Sequence, residues 1–170
     1  MGIATSGRTR HLGKSRFRER VLRLESLLSI SNQGSVALLG DACHPSLPYQ
    51  AQGSSMAAED GACIGALLGL LQRTSNRPTV ASVLRLYENL RKERTTKNIQ
   101  GAVNCQKLFH LSDEKERKER NELFKGQEWD EDPKDFPWLW GNQRYQQDLL
   151  AFDVVKDAKQ AYQSRFSVSV

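Results

Sequence analysis

The stretch from Ser35 to Leu71, SVALLGDACHPSLPYQAQGSSMAAEDGACIGALLGLL, constrains this chain more than any other. Val36 to Leu39 is a short apolar run without polar alternation, preceded by the turn cluster Ser31-Asn32-Gln33-Gly34. Such a run suits a strand covered on both faces, as in parallel sheets. Gly40 permits a tight departure from the strand, and Asp41 sets a carboxylate where the strand ends. Pro45 and Pro48 then stiffen an uncharged loop from Ala42 to Gln52 and remove two backbone donors. Gly53-Ser54-Ser55 reads as a helix start with a serine available as N-cap, and the helix should run to about Gln72. A strand, a Gly-Asp, a loop and a helix in that order form a ligand edge for a polyhydroxylated or phosphorylated molecule.

The helix is apolar nearly all round. Only Glu59 and Asp60 are charged, so it should be largely buried. Gly61, Gly65 and Gly69 recur every four residues, and each costs up to about 1 kcal/mol relative to alanine in a helix interior. That cost implies an object packed closely against the glycine face, a sheet or a neighbouring helix.

The net charge of +5 belongs mostly to the N-terminus. Residues 1–23 carry seven basic side chains and one acid, Glu19, so the rest of the chain sums to −1. A basic leader without interleaved aromatics, Phe17 apart, does not make a nucleic-acid surface. Two readings of it stay open: a poorly ordered solvated arm over 1–30, and an Arg-rich, transit-type presequence for mitochondria. No stretch reaches the roughly 18 apolar residues of a membrane span. Cys43, Cys63 and Cys105 are odd in number and never spaced C-x-x-C, which argues against a disulfide framework or zinc site and for a reducing, cytoplasmic setting.

Downstream, a helix beginning at Thr79 or Ala81 places Val80, Val83, Leu84, Tyr87 and Leu90 at core spacing and continues towards Phe109, with a soft point at Gly101. Asp113 to Arg120 suits a solvated helix with Glu114–Lys118 and Glu116–Arg120 pairs. The segment EWDEDPKDFPWLWG, from Glu128, is acidic and aromatic and suits a cap over a neighbouring surface or an aromatic substrate wall. A last helix should cover roughly Arg144 to Gln163.

Read for chemistry, the Asp41 carboxylate can accept hydrogen bonds from ribityl or ribose hydroxyls. The amides of Gly53, Ser54 and Ser55 leave the helix N-terminus, where the macrodipole favours negative charge. Leu39-Gly40-Asp41-Ala42-Cys43-His44-Pro45, then Pro48, Gln52-Gly53 and Glu59-Asp60, resemble the second FAD-binding motif of the FAD-dependent aromatic hydroxylases. These are the single-component flavoprotein monooxygenases similar to salicylate and para-hydroxybenzoate hydroxylase. Only Cys43, in place of an alanine, departs from the pattern L-G-D-A-A-H-P. Tyr87, Arg91 and Arg94 are similar to the family's Y-x-x-x-R-x-x-R helix. Phe109-His110-Leu111 with Asp113, and Leu139-Trp140-Gly141, resemble its salicylate-hydroxylase-like branch.

The resemblance covers residues 34 to 155 and implies the C-terminal part of an α/β, Rossmann-like FAD/NAD(P)-binding fold, mostly helical here. It implies that Gly40 and Asp41 hold the ribityl and pyrophosphate side of FAD and that Pro48 lies beside the isoalloxazine. Gly53, Ser54 and Ser55 would then meet the flavin N1–O2 edge. It also implies NADH or NADPH as co-substrate and a small aromatic substrate for hydroxylation. The G-x-G-x-x-G of the family's N-terminal βαβ unit does not occur in this sequence. The expected organisation is a leader at 1–30, an FAD-binding portion at 31–110 and a helical cap at 111–170. A catalytically inactive remnant or interaction module, self-associating through exposed apolar faces, is the alternative. A thiol hydrolase built on Asp41, Cys43 and His44 is disfavoured, because sequence neighbours seldom assemble a triad.

Overall fold

The computed structural model describes residues 36–71, 78–126 and 141–166. The basic leader and the acidic aromatic segment that includes Trp129, Phe136, Trp138 and Trp140 lie outside the described residues. The architecture is helical: α1 (Gly53–Gly69), α2 (Val80–Phe109), α3 (Glu114–Lys125), α4 (Gln143–Leu150) and α5 (Val154–Phe166), with 3-10 turns at Gly40–Ala42 and Pro48–Gln50. Among the described residues no helix is long and apolar enough to cross a membrane.

α1 buries Met56, Asp60, Cys63 and Leu67, a three-and-four spacing that aligns them on one stripe. Against that stripe pack α2 and α5. Cys63, Leu67, Val83, Leu86, Tyr87 and Ala158 form the core there, with Ala37, Leu90, Val154 and Phe166 at its margin. α2 is 30 residues, about 45 Å long at 1.5 Å per residue. Thr79 caps it by accepting from the Ser82 amide at 3.2 Å. Its buried stripe changes character along its length: apolar at Val83, Leu84 and Tyr87, polar at Arg91, Thr95 and Asn98, and small at Gly101, Ala102 and Cys105. The polar third is the part that serves the site described below.

Several expectations are corrected. Val36 to Leu39 pairs with no strand among the described residues. Leu39 is extended (φ −132°, ψ 153°), yet Val36 is 59% and Leu39 42% exposed. A strand needs a hydrogen-bonded neighbour, and here the main-chain contact is to a side chain, with Tyr87 Oη donating to the Leu38 carbonyl at 2.9 Å. The fold is therefore mostly helical, as expected, but shows no strand among these residues.

Among the described residues nothing packs on the glycine face of α1. Gly61, Gly65 and Gly69 are exposed, and a methyl group on any of them would meet nothing within 4 Å. Both neighbours of α1 sit on the opposite, Asp60–Cys63 side, which leaves this face open among the described residues.

The single C-terminal helix expected from Arg144 to Gln163 is two. Asp153 starts α5 by accepting from the Lys156 amide at 2.9 Å. Arg94, from α2, takes the Leu149 carbonyl at 2.7 Å and stacks 4.0 Å from the centre of the Phe152 ring. A tertiary arginine thus occupies the carbonyls with which the helix would have continued. In α3, capped by Asp113, the Glu114–Lys118 pair forms at 2.9 Å as expected. Arg120, instead of pairing with Glu116, donates to the Leu108 carbonyl at 2.7 Å and to Asn121.

Candidate functional site

The site is the loop from Gly40 to Gln52 and the N-terminus of α1 to which it leads. Gly40 opens the loop with φ +56°, and a methyl group there would come within 3.0 Å of Ala57 Cβ on α1. Glycine is required twice over, by the left-handed backbone and by the close approach to the helix. The Gly40 carbonyl then gathers the turn, accepting from the Cys43 amide at 3.0 Å, the His44 amide at 2.9 Å and the Cys43 thiol at 3.3 Å.

Beneath the turn lies a buried polar chain. Asp60 of α1 accepts from the Gly40 amide at 2.9 Å and from His44 Nε2 with one carboxylate oxygen, and from Arg91 Nε at 2.8 Å with the other. Arg91 also meets Glu59 at 2.7 Å, and Glu59 meets Arg94 at 2.6 Å. Arg94 in turn holds the end of α4 through the Leu149 carbonyl. One connected set of charges therefore ties the loop to α1, α2 and α4. Buried ions survive only when paired and hydrogen-bonded in this way.

The titration behaviour follows. Burial alone would push the His44 imidazolium towards release of its proton, but its bond to Asp60 and the nearby Cys43 outweigh this and raise its pKa to about 9. Burial would raise Asp60, yet the bonds from His44, the Gly40 amide and Arg91 hold its carboxyl below the ordinary value. Glu59 is likewise lowered, burial being overcome by Arg94 and Arg91.

Cys43, His44 and Asp60 bring potential metal-ligand atoms within 4.8 Å of one another. Both Asp60 oxygens already accept from Gly40, His44 and Arg91, and Cys43 faces the Gly40 carbonyl, so the geometry is that of a fastener. His44 turns to Asp60 and not to Asp41, so Asp41, Cys43 and His44 form no triad.

Above the fastener the site opens. Asp41, Pro48, Ser54 and Ser55 are exposed. A methyl built on Gly53 would lie 3.8 Å from Asp41 Oδ1 and 3.3 Å from Ser46 Oγ, so the Asp41 carboxylate and Ser46 hydroxyl border the first turn of α1. The expected serine N-cap is corrected: Gln52 holds that position and no side chain caps the helix. Gly53, Ser54 and Ser55 lie within that first turn, where amides have no intrahelical acceptor. Pro48 lies in the second 3-10 turn, followed by Ala51 in the left-handed region at φ 51°. Gly40, Asp41, Gly53, Ser54 and Ser55 thus gather at one helix end, with Pro48 on the same loop.

Sequence reasoning assigned no role to Ser46 or Gln50, and took Glu59 and Asp60 as members of the resembling motif without giving them partners. For the two acids a signal existed: two carboxylates in an otherwise uncharged helix, with Arg91 and Arg94 three apart on the next. Ser46 and Gln50 carry no comparable signal, since only the folded loop shows what they border.

The chain is 34% identical over 131 residues to the FAD-dependent monooxygenase OpS4 of Beauveria bassiana, covering 72% of this chain and 30% of that protein. It is 38% identical over 108 residues to the 3-amino-4-hydroxybenzoate 2-monooxygenase of Streptomyces cremeus, covering 64% and 25%. To the 3-hydroxybenzoate 6-hydroxylase of Polaromonas naphthalenivorans it is 34% identical over 108 residues, covering 64% and 26%. Its curated homologues are FAD-dependent aromatic monooxygenases. The chain spans less than a third of the length of these relatives. No protein-family model matches it.

Proposed function

We propose that this chain holds the ribityl–isoalloxazine half of FAD against the N-terminus of α1, within a flavoprotein that hydroxylates a small aromatic molecule at the expense of NADH or NADPH. The observation that carries the reading is the uncapped first turn of α1 with the Asp41 carboxylate beside Gly53. Gly53 lacks the side chain that would fill the space between Asp41, Ser46 and the helix, so the cradle fits a polyhydroxylated chain lying across it. Asp41 accepts from ribityl hydroxyls. The amides of Gly53, Ser54 and Ser55 favour negative charge at the flavin's N1–O2 edge, as helix N-termini do for anions. Gly40 gives the turn its shape, and Pro48 lines the ring side.

When bound, the flavin supplies the redox and oxygen chemistry, and the protein's part is binding and orientation. The relatives' names support an aromatic ring bearing hydroxyl or carboxylate groups as substrate. A Rossmann-like setting in which 31–110 forms the flavin portion and 111–170 a helical cap belongs to the same proposal. The chain carried through gel filtration in the presence of FAD should retain flavin absorbance. Gly53→Val, which fills the cradle while leaving the helix in place, should elute folded and colourless. Wild-type protein that takes up no flavin would sink the reading.

The open glycine face of α1, with exposed Val36 and Leu39, favours a second role as an interaction module that self-associates. An elution volume that shortens with protein concentration supports it, and a constant monomer excludes it.

A further inference from the structure

Gln50 follows Pro48 by two residues and is 2% exposed, a buried carboxamide in a loop whose Asp41 and Pro48 are exposed. Its seat is a notch in α2. A methyl group on Gly101 would lie 2.5 Å from Gln50 Nε2, 2.7 Å from Gln50 Oε1 and 2.6 Å from Tyr145 Oη. The ends of the two side chains occupy the space that a Cβ would need, so any larger residue at this position would have to displace them from the seat. α2 runs through Gly101 unbroken, as the expected long helix does, and the missing side chain makes room for both visitors.

Tyr145 of α4 closes the seat by donating its hydroxyl to Gln50 Oε1 at 3.2 Å, while Gln50 Nε2 faces Cys105 Sγ at 4.0 Å. The residue after Gln50 is Ala51, held at φ 51°, a conformation that a non-glycine residue keeps only when its surroundings impose it. The first half of the loop is fastened by Asp60 through Gly40 and His44. In the second half, Gln50 is the deeply buried side chain, and it lies between Pro48 and the Gln52 cap of α1.

We propose that Gln50 is a positioning residue for the cofactor edge: seated at Gly101 and latched by Tyr145, it fixes Pro48 and the entry to α1 relative to one another. This rests on the flavin reading above. It also makes α4, 95 residues away in sequence, part of what shapes that edge. An apolar side chain in the seat would fill the volume but leave the Tyr145 hydroxyl without its acceptor, and buried polar groups left so are costly.

The test uses the full chain and two variants. Tyr145→Phe removes the latch and keeps the ring; Gln50→Leu removes the carboxamide. Hydrogen exchange should show residues 46–52 exchanging about tenfold faster in Tyr145→Phe, the loss expected for one buried hydrogen bond. Protection in α1 and α5 and the melting temperature should stay near wild type. FAD affinity should fall by a similar factor, about tenfold, with an altered visible band of the bound flavin. Unchanged loop exchange, or protection lost evenly across the core, overturns the latch. Local loosening with unaltered FAD affinity overturns the positioning role alone. Wild-type protein that binds no FAD overturns the flavin reading and the positioning role with it, while the exchange data still report whether the latch exists.

Discussion

Asp60 joins three separate parts of this structure. A single carboxylate, fully buried, receives the Gly40 amide that starts the loop, the His44 ring that anchors its middle and the Arg91 guanidinium from α2. His44 is the titratable member of that set nearest neutrality. Its folded pKa, about 9, stands above the ordinary 6.5. Protonated His44 therefore contributes stability that is complete below about pH 6.5 and fades as pH rises through about 9. Urea midpoints should fall between pH 6.5 and 9.5 in the wild type and change less in His44→Asn. Equal slopes in the two proteins would show that the imidazolium is not held. Asp60 and Glu59 work in the opposite direction: with both carboxyls lowered, their contribution is present above the ordinary carboxylate range and lost on acidification. At this scale the sequence was informative about chemistry and silent about geometry. Asp41 and the Gly53 amides were singled out because their types and offsets are those of a ligand edge, and the fold brings the two residues together at one helix end. The use of Asp60 as the fastener was not, because partners sixteen, twenty and thirty-one residues away are brought to it only by the fold.

The elements themselves were read with mixed success, and the failures share a cause. α1 and the long α2 announce themselves through three-and-four spacing and the Thr79 cap, which are local properties. The unpaired Val36–Leu39 segment and the break between α4 and α5 depend on what lies alongside. An apolar run becomes a strand only beside another strand, and none stands beside it among the described residues. The α4–α5 break is held by Asp153 from within and by Arg94 from another helix. If Asp153 acts as the cap, Asp153→Ala should cost about 1 kcal/mol, the usual worth of an N-cap side chain. Denaturant unfolding measures this. A variant as stable as wild type would mean that Arg94 and Phe152 alone set the break. The same dependence on neighbours explains the glycine face of α1: the spacing was plain, but the packing inferred from it is not found among the described residues.

For the whole molecule, α1 is the axis: its buried stripe meets α2 and α5, its acids bind the loop and the arginines, and its first turn meets solvent beside Asp41. The net charge of +5 had little bearing on this arrangement, since it resides mostly in residues 1–23, outside the described residues. With the homologues matched over less than a third of their length, the claim that matters most concerns the half of the cofactor this chain would hold. FMN carries the ribityl–isoalloxazine portion without the adenylate, so it probes that half alone. Titration of FMN against the purified chain, followed by flavin fluorescence, should saturate at one per chain and weaken about tenfold in Asp41→Ala, the loss expected for hydrogen bonds to a charged acceptor. Fluorescence that never saturates, or equal affinity in the wild type and Asp41→Ala, would contradict the assignment.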